Sequence, residues 1–121
     1  MMKVEKIFFR GKCAITGKWA YGYFYRSKGH SIILSAEGEE CIVLKQTVGR
    51  YTGVKDVKKI PIFEGDIVII PASMHNIEIK GLVVFHRGGF CVKSILSGTY
   101  WDICRPDIKI INNIHEKSIK L

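Results

Sequence analysis

Apolar residues in this chain fall in short runs rich in Ile, Val, Tyr and Phe, with Gly, Asp, Asn or Ser breaking them about every eight to twelve residues. That spacing predicts strands, and their number predicts a β-barrel or sandwich. Candidate strands are 6–10, 19–26, 31–34, 41–44, 66–70, 77–86, 90–95, 100–104 and 108–111. Only the tail after Asn113 has the pattern of a helical turn.

Two connectors predict adjacent antiparallel strands. Ala36-Glu37-Gly38-Glu39-Glu40 is polar and of hairpin length, and Arg87-Gly88-Gly89 repeats the pattern later. Between them, 47–61 is the clearest break in alternation, with Gly49, Gly53, Asp56 and the Lys58-Lys59 pair. It divides the chain into an N-terminal β unit (1–50), a connector (51–61) and a C-terminal unit (62–121). In the last, Glu64-Gly65-Asp66 supplies a turn, Ile67 to Ile70 an apolar strand, Pro71 its end and Gly81 to Phe85 a second apolar strand. A turn, a strand, a loop and a long second strand open many SH3-like barrels. The expected fold is therefore all-β, an N-terminal hairpin or meander unit followed by an SH3-like small β-barrel.

Composition narrows the function class. At 121 residues, 47% apolar and 25% charged, the chain has the size and balance of one domain or two very small β units, which excludes a large multidomain enzyme. Its longest apolar runs are far below the roughly 20 residues that cross a bilayer, and the N-terminus shows no apolar signal core. The expected location is the cytoplasm. Cys13, Cys41, Cys91 and Cys104 each sit in an apolar stretch, and free buried thiols are the expectation. Lys plus Arg outnumber Asp plus Glu by 19 to 11, for a formal net charge of +8. Such a charge attracts polyanions.

The residues also carry a family likeness. Phe9-Arg10-Gly11-Lys12, Gly17-Lys18-Trp19, Tyr21-Gly22-Tyr23, Thr47 to Asp56 and Ile62-Phe63-Glu64-Gly65-Asp66-Ile67-Val68 resemble, in order and spacing, the YopX family of phage and prophage proteins. The closing Ile110 to Glu116 is similar to that family's last strand and tail. The resemblance implies a gene of a phage, prophage or related element, an all-β fold with an SH3-like barrel in its C-terminal part, and no known activity or catalytic residues. One departure concerns Lys58-Lys59, where the family has an Asn-Gly type of turn. Two lysines do not favour a tight type I′ turn, so the expectation here is a looser, more basic loop.

Candidate chemistry centres on 19–26. Strand alternation sets Trp19, Tyr21, Tyr23 and Tyr25 on one face, where they either stack bases or pack as cross-strand core or between the two units. Arg10, Lys12, Lys18, Arg26 and Lys28 are the nearby candidates for phosphate contacts, and Lys55, Lys58 and Lys59 form a second basic cluster on a loop. Lys109, Lys117 and Lys120 add charge near the end.

Other constellations favour plainer readings. Glu64 and Asp66 read as the turn before a strand rather than an acid/base pair. His30, His75, His86 and His115 have no metal-ligand spacing with one another or with the cysteines, so no metal or other cofactor is expected. Gly88-Gly89 joins two strands and lacks the strand-to-helix setting of a phosphate loop. The sequence thus points to a non-enzymatic accessory protein that binds nucleic acid, with a protein-interaction or self-assembling module acting on a phage or host complex as the alternative.

Overall fold

Eleven strands form among the described residues, which are 8–72 and 77–116 of this computed structural model. They are β1 (Phe9–Lys12), β2 (Trp19–Ser27), β3 (His30–Leu34), β4 (Glu40–Val43), β5 (Gly49–Lys55), β6 (Pro61–Phe63), β7 (Asp66–Ala72), β8 (Ile77–His86), β9 (Gly89–Ser94), β10 (Tyr100–Asp102) and β11 (Lys109–Asn113). The fold is all-β. The one helical element among the described residues is a single 3-10 turn at Lys45–Thr47, and no helix there is long and apolar enough to cross a membrane. The chain separates into two units, Met1–Tyr51 and Thr52–Leu121.

In the first unit the strand order is β4-β3-β2-β1-β5, with antiparallel neighbours. β2 uses its two edges in succession: Trp19 to Gly22 pair with β1, and Tyr23 to Ser27 pair with β3. Gly22 sits where the strand changes partner. A Cβ there would lie 2.0 Å from the Leu34 carbonyl oxygen, so only glycine permits this approach. The β2–β3 hairpin turns through Lys28 and Gly29 at φ 52° and 81°, the two positive angles of a type I′ turn.

Beyond β1, Cys13 lies opposite Val43, the Ala14 N–H donates to the Ile42 carbonyl at 2.9 Å, and the Leu44 N–H donates to the Lys12 carbonyl at 2.9 Å. The buried Thr47 hydroxyl secures this junction. It accepts from the Lys12 N–H at 2.8 Å and donates to the Leu44 carbonyl at 2.6 Å. The inner face carries Ile33 and Val43, the Phe9–Phe24 pair with ring centroids 5.7 Å apart, and Gly11, where a Cβ would press on Val43 at 3.0 Å.

β5 runs past Tyr51 into the second unit, where it neighbours β6. β5 lies wholly in the stretch expected to break the alternation, and β6 starts at its last residue. Gly49, Tyr51 and Gly53 share one side of β5, and two glycines on one face remove the apolar signal that marks a strand while imitating a turn. The other candidate strands each coincide with an observed one to within a few residues.

The second unit is a five-stranded antiparallel sheet of order β10-β9-β8-β7-β11. Its core is Ile62, Val68, Ile70, Val83, Val92, Ile103 and Ile108, with Val54, Ile79, Phe90, Trp101 and Ile110 packed around it. The β8–β9 hairpin turns at Arg87 and Gly88 (φ 50° and 84°), as its sequence predicts. Glu64-Gly65-Asp66 forms the expected turn: the Phe63 N–H donates to the Asp66 carboxylate at 2.8 Å, and Gly65 has φ 91°.

The Lys58-Lys59 loop is tight, unlike the expected looser one. The buried carboxylate of Asp56 accepts hydrogen bonds from the N–H groups of Lys58 (2.8 Å), Ile60 (2.9 Å) and Ile110 (3.1 Å), tying the loop to β11. Lys59 takes the left-handed conformation (φ 69°) that Asn or Gly adopts at lower cost.

Candidate nucleic-acid interface

The aromatic row of β2 lies on the face of the first unit opposite Ile33 and Val43. Register explains why: Phe24 and Gly22 alternate with Tyr21, Tyr23 and Tyr25, and Phe24 meets Phe9 and pairs with Ile33 on the inner side. Within the first unit these tyrosines therefore lie on the side away from Ile33 and Phe24. Tyr21 and Tyr23 are 43% and 51% exposed.

Cross-strand neighbours complete the surface. Arg10 pairs with Tyr21 and Lys12 with Trp19, so these cations share the aromatic side. The Arg10 guanidinium carbon is 4.3 Å from the Trp19 ring centroid and the Lys12 ammonium is 5.5 Å from it, both at cation–π distance. Arg10 is only 6% exposed, so it orients the indole more than it meets solvent. Trp19 is half-buried against the two cations, and Tyr21 and Tyr23 are the more exposed rings. Tyr25 is also half-buried; its hydroxyl donates to the Glu40 carboxylate at 2.5 Å, and that carboxylate raises the phenol's pKa.

Two members of this face escape a linear reading. Phe8, 41% exposed, stacks obliquely on Tyr23 with ring centroids 4.9 Å apart. Tyr51 joins it from β5, its N–H donating to the Phe8 carbonyl at 2.8 Å, and burial pushes the Tyr51 phenol up. The register Arg10↔Gly49 sets Tyr51 on the same side as Arg10, so aromatic rings cross three strands. The available signal was the alternation Phe8-x-Arg10-x-Lys12, which continues the β2 pattern on its neighbour.

The chain matches the family model described as YopX protein over residues 9–121. It belongs to the YopX family. No curated protein matches it.

In this YopX family chain the remaining sequence candidates are spread over both units. Lys18 is exposed in the turn before β2, next to Trp19. Arg26 pairs with Ser31 and has the opposite alternation from the tyrosines, and Lys28 occupies the hairpin tip. Lys55, Lys58 and Lys59 are exposed on the second unit, the last two in the Asp56-centred loop. Lys109 is exposed on β11, while Lys117, Lys120 and His75 lie outside the described residues, as does the tail beyond Glu116. Among the described residues no group of three or more His, Cys, Asp or Glu is arranged to hold a metal. The cysteines are less buried than expected: Cys13, Cys41 and Cys91 are half-buried and Cys104 is exposed beyond the end of β10.

Proposed function

We propose that this protein is a non-enzymatic accessory protein of phage or prophage origin that binds single-stranded nucleic acid on the outer aromatic face of its first unit. The observation that carries the reading is a pair of exposed tyrosines, Tyr21 and Tyr23, flanked by Phe8 and set beside Arg10 and Lys12. Bases must leave a duplex to lie on such rings, so single strands are the favoured ligand. The net charge of +8 supplies the sequence-independent attraction, and the working compartment in this reading is the bacterial cytoplasm.

The second unit is read as an opened SH3-like sheet. Four consecutive strands, β7 to β10, form a meander, and β11 returns beside β7, an order that supports this assignment. In this reading its exposed Lys55, Lys58 and Lys59 add phosphate contacts without reading bases. The alternative is self-association or docking on a phage or host protein, favoured by the same exposed rings of Phe8, Tyr21 and Tyr23 if they meet an apolar partner.

Titration with short single-stranded and duplex oligonucleotides, followed by the fluorescence of Trp19 and Trp101 across a salt series, separates the two. Expected is single-strand binding that weakens steeply with salt. At about 1–3 kcal/mol per stacked base, changing Tyr21 and Tyr23 together to alanine weakens binding by roughly 30-fold or more. Absence of binding at low salt, with light scattering showing an oligomer that the same double variant dissociates, moves the assignment to protein association.

A further inference from the structure

The first unit holds a second feature at the border of the aromatic face, a groove that Trp19 and Tyr21 also line. At the end of β1 the chain turns through Ala14 to Lys18, with the Gly17 N–H donating to the Cys13 carbonyl at 2.9 Å and the Cys13 N–H to the Lys18 carbonyl at 2.8 Å. Cys13, half-buried, opens this turn on the side of the sheet that carries Val43. Cys41 comes from β4, two residues before the Val43 that faces Cys13. Both sulfurs line one surface groove.

We infer that Cys13 and Cys41 form a reactive dithiol site that is oxidised reversibly to a disulfide by small disulfide compounds. Cys13 is the attacking group. Hydrogen bonding from the Cys41 thiol, then from Thr16 and the backbone of the turn, holds its pKa down to about 6, against an ordinary value near 9. Cys41 is the complement: burial, followed by hydrogen bonding with Cys13, pushes it up to about 11, so it stays protonated, and the Ile42 carbonyl oxygen at 3.6 Å is a competing acceptor for its proton. Besides these thiols the groove presents Lys18 from the turn and Glu37, Glu39 and Glu40 from the β3–β4 connector. Three carboxylates against one ammonium select a neutral disulfide over an anionic one.

The chemistry balances as thiol–disulfide exchange. The Cys13 thiolate attacks one sulfur of the reagent disulfide, forming a mixed disulfide and releasing one reagent thiolate. Cys41 then yields its proton to that thiolate and attacks the Cys13 sulfur, releasing the second reagent thiolate. The protein loses two electrons and the reagent gains them. Val43, not Cys41, is directly opposite Cys13, so the cysteines sit on a diagonal of the ladder. A disulfide across it requires the backbone to shift toward closer Cβ spacing, and the resulting strain makes the bond more reducible.

Full-length protein treated with 2-hydroxyethyl disulfide and mapped by peptide mass spectrometry tests the site. A Cys13–Cys41 cross-link, reversed by dithiothreitol, is expected, together with a mixed disulfide that persists at Cys13 in Cys41→Ser and an unmodified Cys41 in Cys13→Ser. Oxidised glutathione, an anionic reagent, is expected to react more slowly. In the unmutated protein, iodoacetamide labelling of Cys13 reaches half its maximal rate near pH 6. At that pH it runs about 20-fold faster than labelling of an unstructured cysteine peptide, after allowing for the weaker nucleophilicity of a low-pKa thiolate. The inference is overturned if the exposed Cys104 takes the reagent with no Cys13–Cys41 link, or if Cys13 labelling is half-maximal above pH 8.

Discussion

Replacing Gly22 by alanine is expected to cost the first unit about 3–5 kcal/mol, enough to unfold much of it. The added methyl would sit 2.0 Å from the Leu34 carbonyl oxygen and 2.8 Å from its carbon. Both are backbone atoms, so no rotamer change relieves the clash. Relief requires β3 to move away just where β2 passes from β1 to β3, and that separates the strand pairs on which the aromatic face rests. Gly29→Ala is the comparison, because its φ of 81° is also positive but nothing lies within 4 Å of the added carbon. Its cost is the conformational one alone, about 1 kcal/mol. Equal losses for the two variants in guanidinium denaturation would show that the close approach of β2 and β3 contributes nothing.

Asp56→Ala is expected to remove about 3 kcal/mol from the second unit. Its carboxylate is the shared acceptor for three backbone N–H groups, one of them 54 residues away on β11, and it is 4% exposed. Alanine leaves those donors without that acceptor, and losing charge-assisted bonds costs more than losing neutral ones. Asp56→Asn keeps one acceptor oxygen and turns an amide group toward an N–H, so its loss is intermediate. Amide hydrogen exchange at Ile110 gives the local readout, with protection falling in the order Asp, Asn, Ala. Unchanged protection in Asp56→Ala would mean that the loop and β11 are held by the neighbouring Val57 N–H to Ile108 carbonyl bond instead.

Both positions show what a linear reading can and cannot reach. Gly22 interrupts an aromatic strand and looks like an interior glycine of no special purpose, because the oxygen that requires it belongs to Leu34. Asp56 reads as loop polarity beside two lysines, since one of its partners is on the last strand. The basic candidates illustrate the same limit. Period-2 alternation groups Trp19, Tyr21, Tyr23 and Tyr25, but pairing across strands is what brings Arg10 and Lys12 to that side and leaves Arg26 off it.

Local chemistry was enough for the strands with strong alternation, for the hairpin connectors at 36–40 and 87–89, for the Glu64-Gly65-Asp66 turn and for the family, because those signals depend on residues adjacent in the chain. β5 and β6 were not legible, because Gly49 and Gly53 empty one side of β5 and their neighbours, not their own side chains, make the stretch a strand. Which face of β2 is outermost, and which cysteines meet, depended on register. A slip of one residue would turn the tyrosines inward and send the Cys41 thiol to the opposite face, away from Cys13, so only the assembled pairing of β1 to β4 decides them.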